Sequence, residues 1–401
     1  LLTLCFMNAF AQRSCGSLEP LKKNDPVLSE KLEAQEAEIQ NWILSHGNEK
    51  TRSIITIPVV VHVVHNGEPV GTGTNIGDPQ IYSQLAIMNE MFRLKNTDTL
   101  PGTHPFGPLQ ADCQIEFCLA QQDEFGNPTT GIERINGGQS DWTRAQLEAT
   151  LQPATIWNRD LYLNLWTAKF GGSNSGLTGY GQMPSAGPAT TDGVVISYSG
   201  FGNVGNVLPP FQYGKSCAHD IGHWLGLHHI SFGTMYCEDL VADTPPAMYQ
   251  NYGCPAFPHN PNNSCGAGAN GEMFMNYMDY VDDACMVMFT HGQAARMNAV
   301  LGTVRSSLLT SPGCSATTTS VNDHAGSGGI VIYPNPSSGE FQVQSSKFKV
   351  SSLDIYDVYG KLVYEKTANS NQVRVNLAGA KGVYLLRINN NTSITKPIVI
   401  Q

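Results

Sequence analysis

The sequence predicts an α+β chain: a mixed α+β domain, then a small all-β sandwich. Three observations predict it. Residues 54–65 are almost wholly apolar and β-branched, the pattern of a strand covered on both faces. Residues 215–225 carry histidines four apart, the spacing of one face of a helix. Beyond Cys314 the composition turns polar, and short alternating strands follow.

The chain has 401 residues, so two or three domains are expected. Apolar residues make up 41%, enough for true cores. A formal charge of −10 with only 23 Lys plus Arg argues against nucleic acid as a partner.

Residues 1–11 form a short apolar run ending Ala9-Phe10-Ala11 and read as the remnant of a signal peptide, cut after Ala11. Eleven residues cannot span a bilayer, and no other apolar run does, so no transmembrane segment is expected. Residues 18–50 are polar and Glu/Lys-rich, with helical spacing over about 27–45, so residues 12–52 suit a detachable pro-segment released near Arg52-Ser53. The next domain is expected over 53–314.

Its central feature is His219-Asp220-Ile221-Gly222-His223, followed by Gly226, His228 and His229. His219 and His223 stand one turn apart and can share a tetrahedral Zn²⁺ at about 2.0–2.1 Å. Gly226 can adopt the left-handed conformation that ends a helix, so the chain can return His229 as a third ligand. Three protein ligands leave one position for water, the mark of a catalytic site. His228 is out of register and reads as a neighbour. The bland alternative is a helix whose histidines are satisfied by ordinary hydrogen bonds. Downstream, Asn276-Tyr277-Met278-Asp279-Tyr280 offers a methionine floor and a tyrosine two residues later.

The histidine pattern, the Asn-Tyr-Met-Asp-Tyr turn, Gly214–Leu227, Ile57–Val64, Ile115–Ala120 and Asp282–Thr290 resemble the pappalysin family of metzincins, in its bacterial, ulilysin-like branch. The resemblance covers about residues 53–314. It implies a metzincin-type zincin domain, with a twisted mixed sheet, a zinc helix and an irregular second half. It also implies a zinc endopeptidase acting on proteins or peptides, with His219, His223 and His229 on zinc, Met278 beneath them and Tyr280 stabilising the oxyanion. The family has Glu where this chain has Asp220, a side chain shorter by about 1.5 Å. As general base, Asp220 is therefore expected to give an attenuated enzyme, or one using an intervening water. The alternative is a zinc-binding pseudoprotease acting as a secreted or surface binding protein.

Arg13-Ser14-Cys15-Gly16 is similar to the family's cysteine switch, which makes Cys15 a zinc ligand in a latent form. A stray thiol is the other reading of Cys15. The family pattern favours the disulfides Cys237–Cys265 and Cys254–Cys285. Cys113 and Cys118 lie on an apparent strand facing opposite sides, so they are not expected to pair with each other; Cys217 reads as a buried thiol. The family carries calcium near residues 238–245, where Asp239, Asp243 and Thr244 are candidate Ca²⁺ ligands; a solvated acidic loop is the other reading. Some relatives prefer a basic residue just after the cut, and Asp282 and Asp283 lie in the relevant region.

Residues 315–329 read as a polar linker, and 330–401 as a β-sandwich. Its Tyr333-Pro334-Asn335-Pro336 opening, Gly382–Leu386 and the ending Lys396–Gln401 resemble the type IX secretion sorting domain of Bacteroidetes. That resemblance implies type IX machinery as a partner, passage through periplasm and outer membrane, and a secreted or cell-surface enzyme. A carbohydrate-binding or adhesive module is the alternative.

Overall fold

The computed structural model describes residues 12–17, 26–46, 53–231, 237–261, 265–316, 330–346, 348–357, 361–377, 379–390 and 392–400. The expected signal remnant, the cut site at Arg52 and most of the linker lie outside the described residues. The chain divides into two compact units between 317 and 318.

In the first unit, strand β1 (Ile55–His65) is the hub of a mixed sheet. It pairs in parallel with β2 (Ile115–Leu119), β3 (Ile132–Asn136) and β4 (Leu163–Ala168). Next comes β6 (Val194–Ser197), parallel to β4, and the antiparallel β5 (Gly179–Gly181) forms the edge. The apolar run of β1 is explained by cover on both faces. Ile57, Val59, Val61 and Val63 join a core with Ile81, Met88 and Phe92 of helix Asp78–Phe92 and with Ala218 and Ile221 of helix Lys215–Trp224. On the opposite face Val64 packs with Trp142, Leu147 and Trp166.

Between Trp224 and helix His291–Gly302 the described residues are mostly loops and turns, with one 3-10 turn at Asp283–Cys285; a Thr290–Gln293 capping box fixes the start of that helix. The amino-terminal helix Pro26–His46 lies on this last helix: Ile39 is buried against Ala299 and Val300, and Glu36 makes a two-pronged ion pair with Arg296.

Among the described residues three disulfides staple the unit: Cys237–Cys265, Cys254–Cys285 and Cys118–Cys314. The third was not foreseen. Cys113 falls before β2, not on it, and Gln114 between them has φ of 58°, so the alternation argument for 113 and 118 does not apply. Cys113 and Cys217 are free, buried thiols.

The second unit is all β. One antiparallel sheet holds β9 (Val350–Tyr356), β10 (Leu362–Ser370), β12 (Gly382–Asn390) and β13 (Thr392–Ile400); the other holds β7 (Ile330–Tyr333), β8 (Glu340–Ser345) and β11 (Gln372–Asn376). Phe341, Val343, Leu353, Ile355, Val373, Val375, Leu386 and Ile388 share its core, as alternation predicts. Leu362 faces outward, 44% exposed. Among the described residues no helix is long and apolar enough to cross a membrane.

Candidate metal centre

The helix Lys215–Trp224 is buried along its whole length. It stops at Gly226, whose φ of 84° lets the chain reverse; a Cβ there would also meet Val300 at 2.8 Å. The reversal brings His229 back beside His219 and His223. Met278 lies beneath, close enough that a Cβ on Gly222 would meet its sulfur at 2.5 Å.

The three Nε2 atoms lie 3.2, 3.2 and 2.9 Å apart. Nδ1 of His219 is 2.7 Å from the Tyr277 carbonyl, and Nδ1 of His223 is 2.8 Å from the Leu227 carbonyl. A carbonyl only accepts, so both Nδ1 atoms carry the proton and both Nε2 atoms present lone pairs. Burial favours the neutral form of two of the rings, lowering His219 far below its usual range and His229 to about 3. Converging lone pairs repel unless a cation sits between them. Tetrahedral ligands at about 2.0–2.1 Å would stand about 3.3 Å apart, close to the observed spacing. Nitrogen donors in this arrangement fit Zn²⁺.

Cys15 completes the group: its Sγ and the three imidazole nitrogens all lie within 4.8 Å of one another. Sγ sits 3.4 Å from Asp220 Oδ1 and accepts from the Ser17 backbone N–H at 3.3 Å. Asp220 is 1% exposed; burial pushes its carboxyl up to about 7, opposed by donation from Cys15 and Ser17 and by the charge of Arg13. A glycine abuts the Asp220 carboxylate: a Cβ on Gly179 would meet Asp220 Oδ2 at 2.2 Å. The Tyr280 ring lies 4.8 Å from that of His229 and 5.8 Å from that of His219. His228 is half-buried and lies outside the group.

Residues 14–17 lie along the free edge of β5. Thr178 N–H donates to the Ser14 carbonyl at 2.9 Å, Gly16 N–H to the Gly179 carbonyl at 2.9 Å, and Gly181 N–H to Ser17 Oγ at 2.9 Å. Arg13 enters a pocket on one side of the histidines. Its guanidinium donates to Asp283 at 2.6 Å, to Ser216 Oγ at 2.8 Å and to the Val281 carbonyl at 3.2 Å, and lies 4.9 Å from the Phe211 ring centre. Asp283 is held independently of Arg13, because its other oxygen accepts from Tyr213 N–H at 2.9 Å and Lys215 N–H at 3.3 Å. Arg13, Ser216 and Gly179 were given no role from sequence. The Arg13 position inside the switch-like motif was the available signal.

In the acidic loop, Asp239 accepts from Val241 N–H at 3.1 Å and Thr244 Oγ1 at 2.8 Å. Its Oδ2 is buried without a hydrogen-bond partner among the described residues, and burial pushes the carboxyl up to about 7. Asp243 is engaged elsewhere, accepting from Thr290 Oγ1 at 2.7 Å and Gly292 N–H at 2.8 Å at the start of the last helix.

Comparison with known proteins agrees with this geometry. A family model described as pregnancy-associated plasma protein-A matches residues 150–302, and one described as a secretion system C-terminal sorting domain matches 331–401. An extracellular metalloprotease of Verticillium alfalfae is 30% identical, over 73% of this chain and 89% of that protein. A Glu-to-Ala mutant of promirolysin from Tannerella forsythia is 36% identical, with a TM-score of 0.65 over 74% of this chain and 97% of its own. Mature mirolysin of the same organism, in complex with a cleaved peptide, is 39% identical, with a TM-score of 0.59 over 65% and 97%. The carboxy-terminal match assigns the chain to type IX secretion, toward the cell surface or beyond. The chain belongs to the pappalysin family of metzincin metalloproteases, the zinc endopeptidases that the histidine pattern implied.

Proposed function

We propose that this chain is a secreted zinc endopeptidase, held latent by residues 12–17, with Asp220 as its general base and a pocket for arginine beside the metal. The observation that carries the proposal is the Cys15 sulfur, grouped with three histidine nitrogens and 3.4 Å from Asp220 Oδ1.

His219, His223 and His229 would hold the zinc, with Cys15 as fourth ligand before activation. Bound zinc would polarise the scissile carbonyl and acidify a water. Asp220 lies within reach of whatever replaces Sγ, so its carboxylate can take a proton there and deliver it to the leaving nitrogen. An intervening water is then unnecessary. The edge of β5, freed of residues 14–17, offers Thr178 N–H, the Gly179 carbonyl and Gly181 N–H to a substrate backbone. The Tyr280 phenol stands beside His229 as a donor to a developing oxyanion.

Arg13 supports the arginine reading. Its pocket is closed by a carboxylate, a hydroxyl, a carbonyl and an aromatic face, a set that satisfies a guanidinium. Asp283 is anchored by two backbone N–H groups, so its carboxylate keeps its position when the pocket empties. For calcium, Asp239 Oδ2 is the unmatched oxygen, with Thr244 as its neighbour; Asp243 serves the last helix instead.

The second reading, a zinc-binding pseudoprotease, is favoured by one observation, Asp220 in place of Glu. The test is digestion of a randomised peptide library by the activated full chain, with and without a chelator. Chelator-sensitive cuts on the amino side of arginine support the proposal. Stoichiometric zinc without cuts would favour the pseudoprotease.

A further inference from the structure

Arg144 donates from Nη1 to the Gly16 carbonyl, immediately past the switch cysteine. Several contacts that do not involve the amino-terminal segment also hold this arginine. It opens a helical stretch whose start is pinned by a Thr143–Gln146 capping box, and its own N–H donates to Asn174 at 3.0 Å. Its Nε donates to Glu148 at 2.6 Å, and its guanidinium lies over the Tyr180 ring, 4.7 Å from the centre. Tyr180 in turn donates to Gln152 at 3.1 Å. A guanidinium immobilised in this way loses little further freedom when it binds a carbonyl.

Beside Arg144 lies a cavity of about 180 Å³, bordered by Gly181 at the end of β5, by Glu148, which is paired with Arg144, and by Gln182, Met183, Ala186 and Pro188. It is on the opposite side of the switch cysteine from the Asp283 pocket, because the segment enters with Arg13 and leaves with Gly16 and Ser17. A peptide with its arginine at Asp283 and its scissile bond near the Cys15 sulfur would lay the residues preceding the cut over Gly181 and Arg144.

We infer that Arg144 is a substrate-binding residue for the stretch of polypeptide that precedes the cut. Its guanidinium takes a main-chain carbonyl, and the neighbouring cavity takes an uncharged side chain. A carbonyl is common to every residue, so this contact adds affinity for extended peptides without selecting their sequence. The same guanidinium therefore holds the latent segment first and the substrate afterwards. The inference rests on the endopeptidase reading with arginine at Asp283.

The test uses the full chain, activated by removal of its pro-segment, and two peptides sharing one arginine after the cut. One extends several residues ahead of the cut; the other has a single acetylated residue there. Arg144→Ala should raise KM for the long peptide about tenfold, the scale of one charge-assisted hydrogen bond, and leave the short peptide within about twofold, with kcat unchanged. Arg144→Lys, which keeps a charged donor, should recover most of the loss. An equal rise for both peptides would mark a general distortion and overturn the inference, as would no rise for either. If the wild-type chain cuts neither peptide, the endopeptidase reading itself fails and takes this inference with it.

Discussion

The sulfur of Cys15 lies 3.4 Å from Oδ1 of Asp220, with the imidazoles of His219, His223 and His229 around it. In the proposed mechanism the sulfur marks the position a reacting water would take, and Asp220 would address it directly despite its short side chain. Asp220→Ala should therefore lower kcat by about 10²-fold or more, since general acid–base catalysis contributes roughly 10²–10⁴-fold. Asp220→Glu should raise it, because the longer arm restores the family's geometry. Steady-state rates on one peptide, at matched zinc content, check both.

Cys15→Ser should unmask activity in the uncut chain. Serine keeps the hydrogen bonds of its neighbours but is a far weaker zinc ligand than a thiolate. The expected outcome is peptide cleavage by intact protein, seen as a single uncut band on a gel, where the wild type is silent.

Asp283→Asn should reduce kcat/KM for arginine-containing peptides by about 30-fold, or about 2 kcal/mol, through loss of a buried charge-assisted pair. Asparagine retains an acceptor for Tyr213 and Lys215 N–H, so the helix start survives. The same variant should loosen the pro-segment, because Arg13 loses its 2.6 Å partner. Inhibition by a synthetic peptide of residues 12–17 measures that effect.

Gly179→Ala should be nearly as harmful as removing the base. The added methyl would stand 2.2 Å from Asp220 Oδ2, 2.8 Å from Ile196 and 2.9 Å from the Val195 carbonyl. Asp220 or strand β5 must move, and a shift of about 1 Å at a catalytic group costs about 10²-fold. Zinc content should stay at the wild-type level, since no histidine is touched; lost zinc would contradict this account.

The parts legible in sequence were those encoded locally. Histidines four apart, a glycine three residues on and a third histidine define a helix, its end and its return. Alternation in 330–401 gave the two-sheet unit, because each strand carries its own pattern. What escaped was encoded by partners far apart in the chain. Arg13 and Asp283 are separated by 270 residues, and neither announces the other. Cys118 and Cys314 are 196 residues apart, and no spacing rule links them. Gly179 is unremarkable in sequence until Asp220 is seen against it. The acidic loop shows the converse: composition suggested one cluster at 239–244, while Asp243 turned out to be engaged at the start of the last helix.

The most direct measurement is the turnover of an arginine-containing peptide by the activated full chain, with zinc quantified in the same sample and Asp220→Ala beside it. The account predicts about one zinc per chain in both proteins, chelator-sensitive cleavage by the wild type, and a rate at least about 10²-fold lower in the variant. Zinc at that level with no cleavage by the wild type, or equal rates in the two proteins, would contradict Asp220 as the working base.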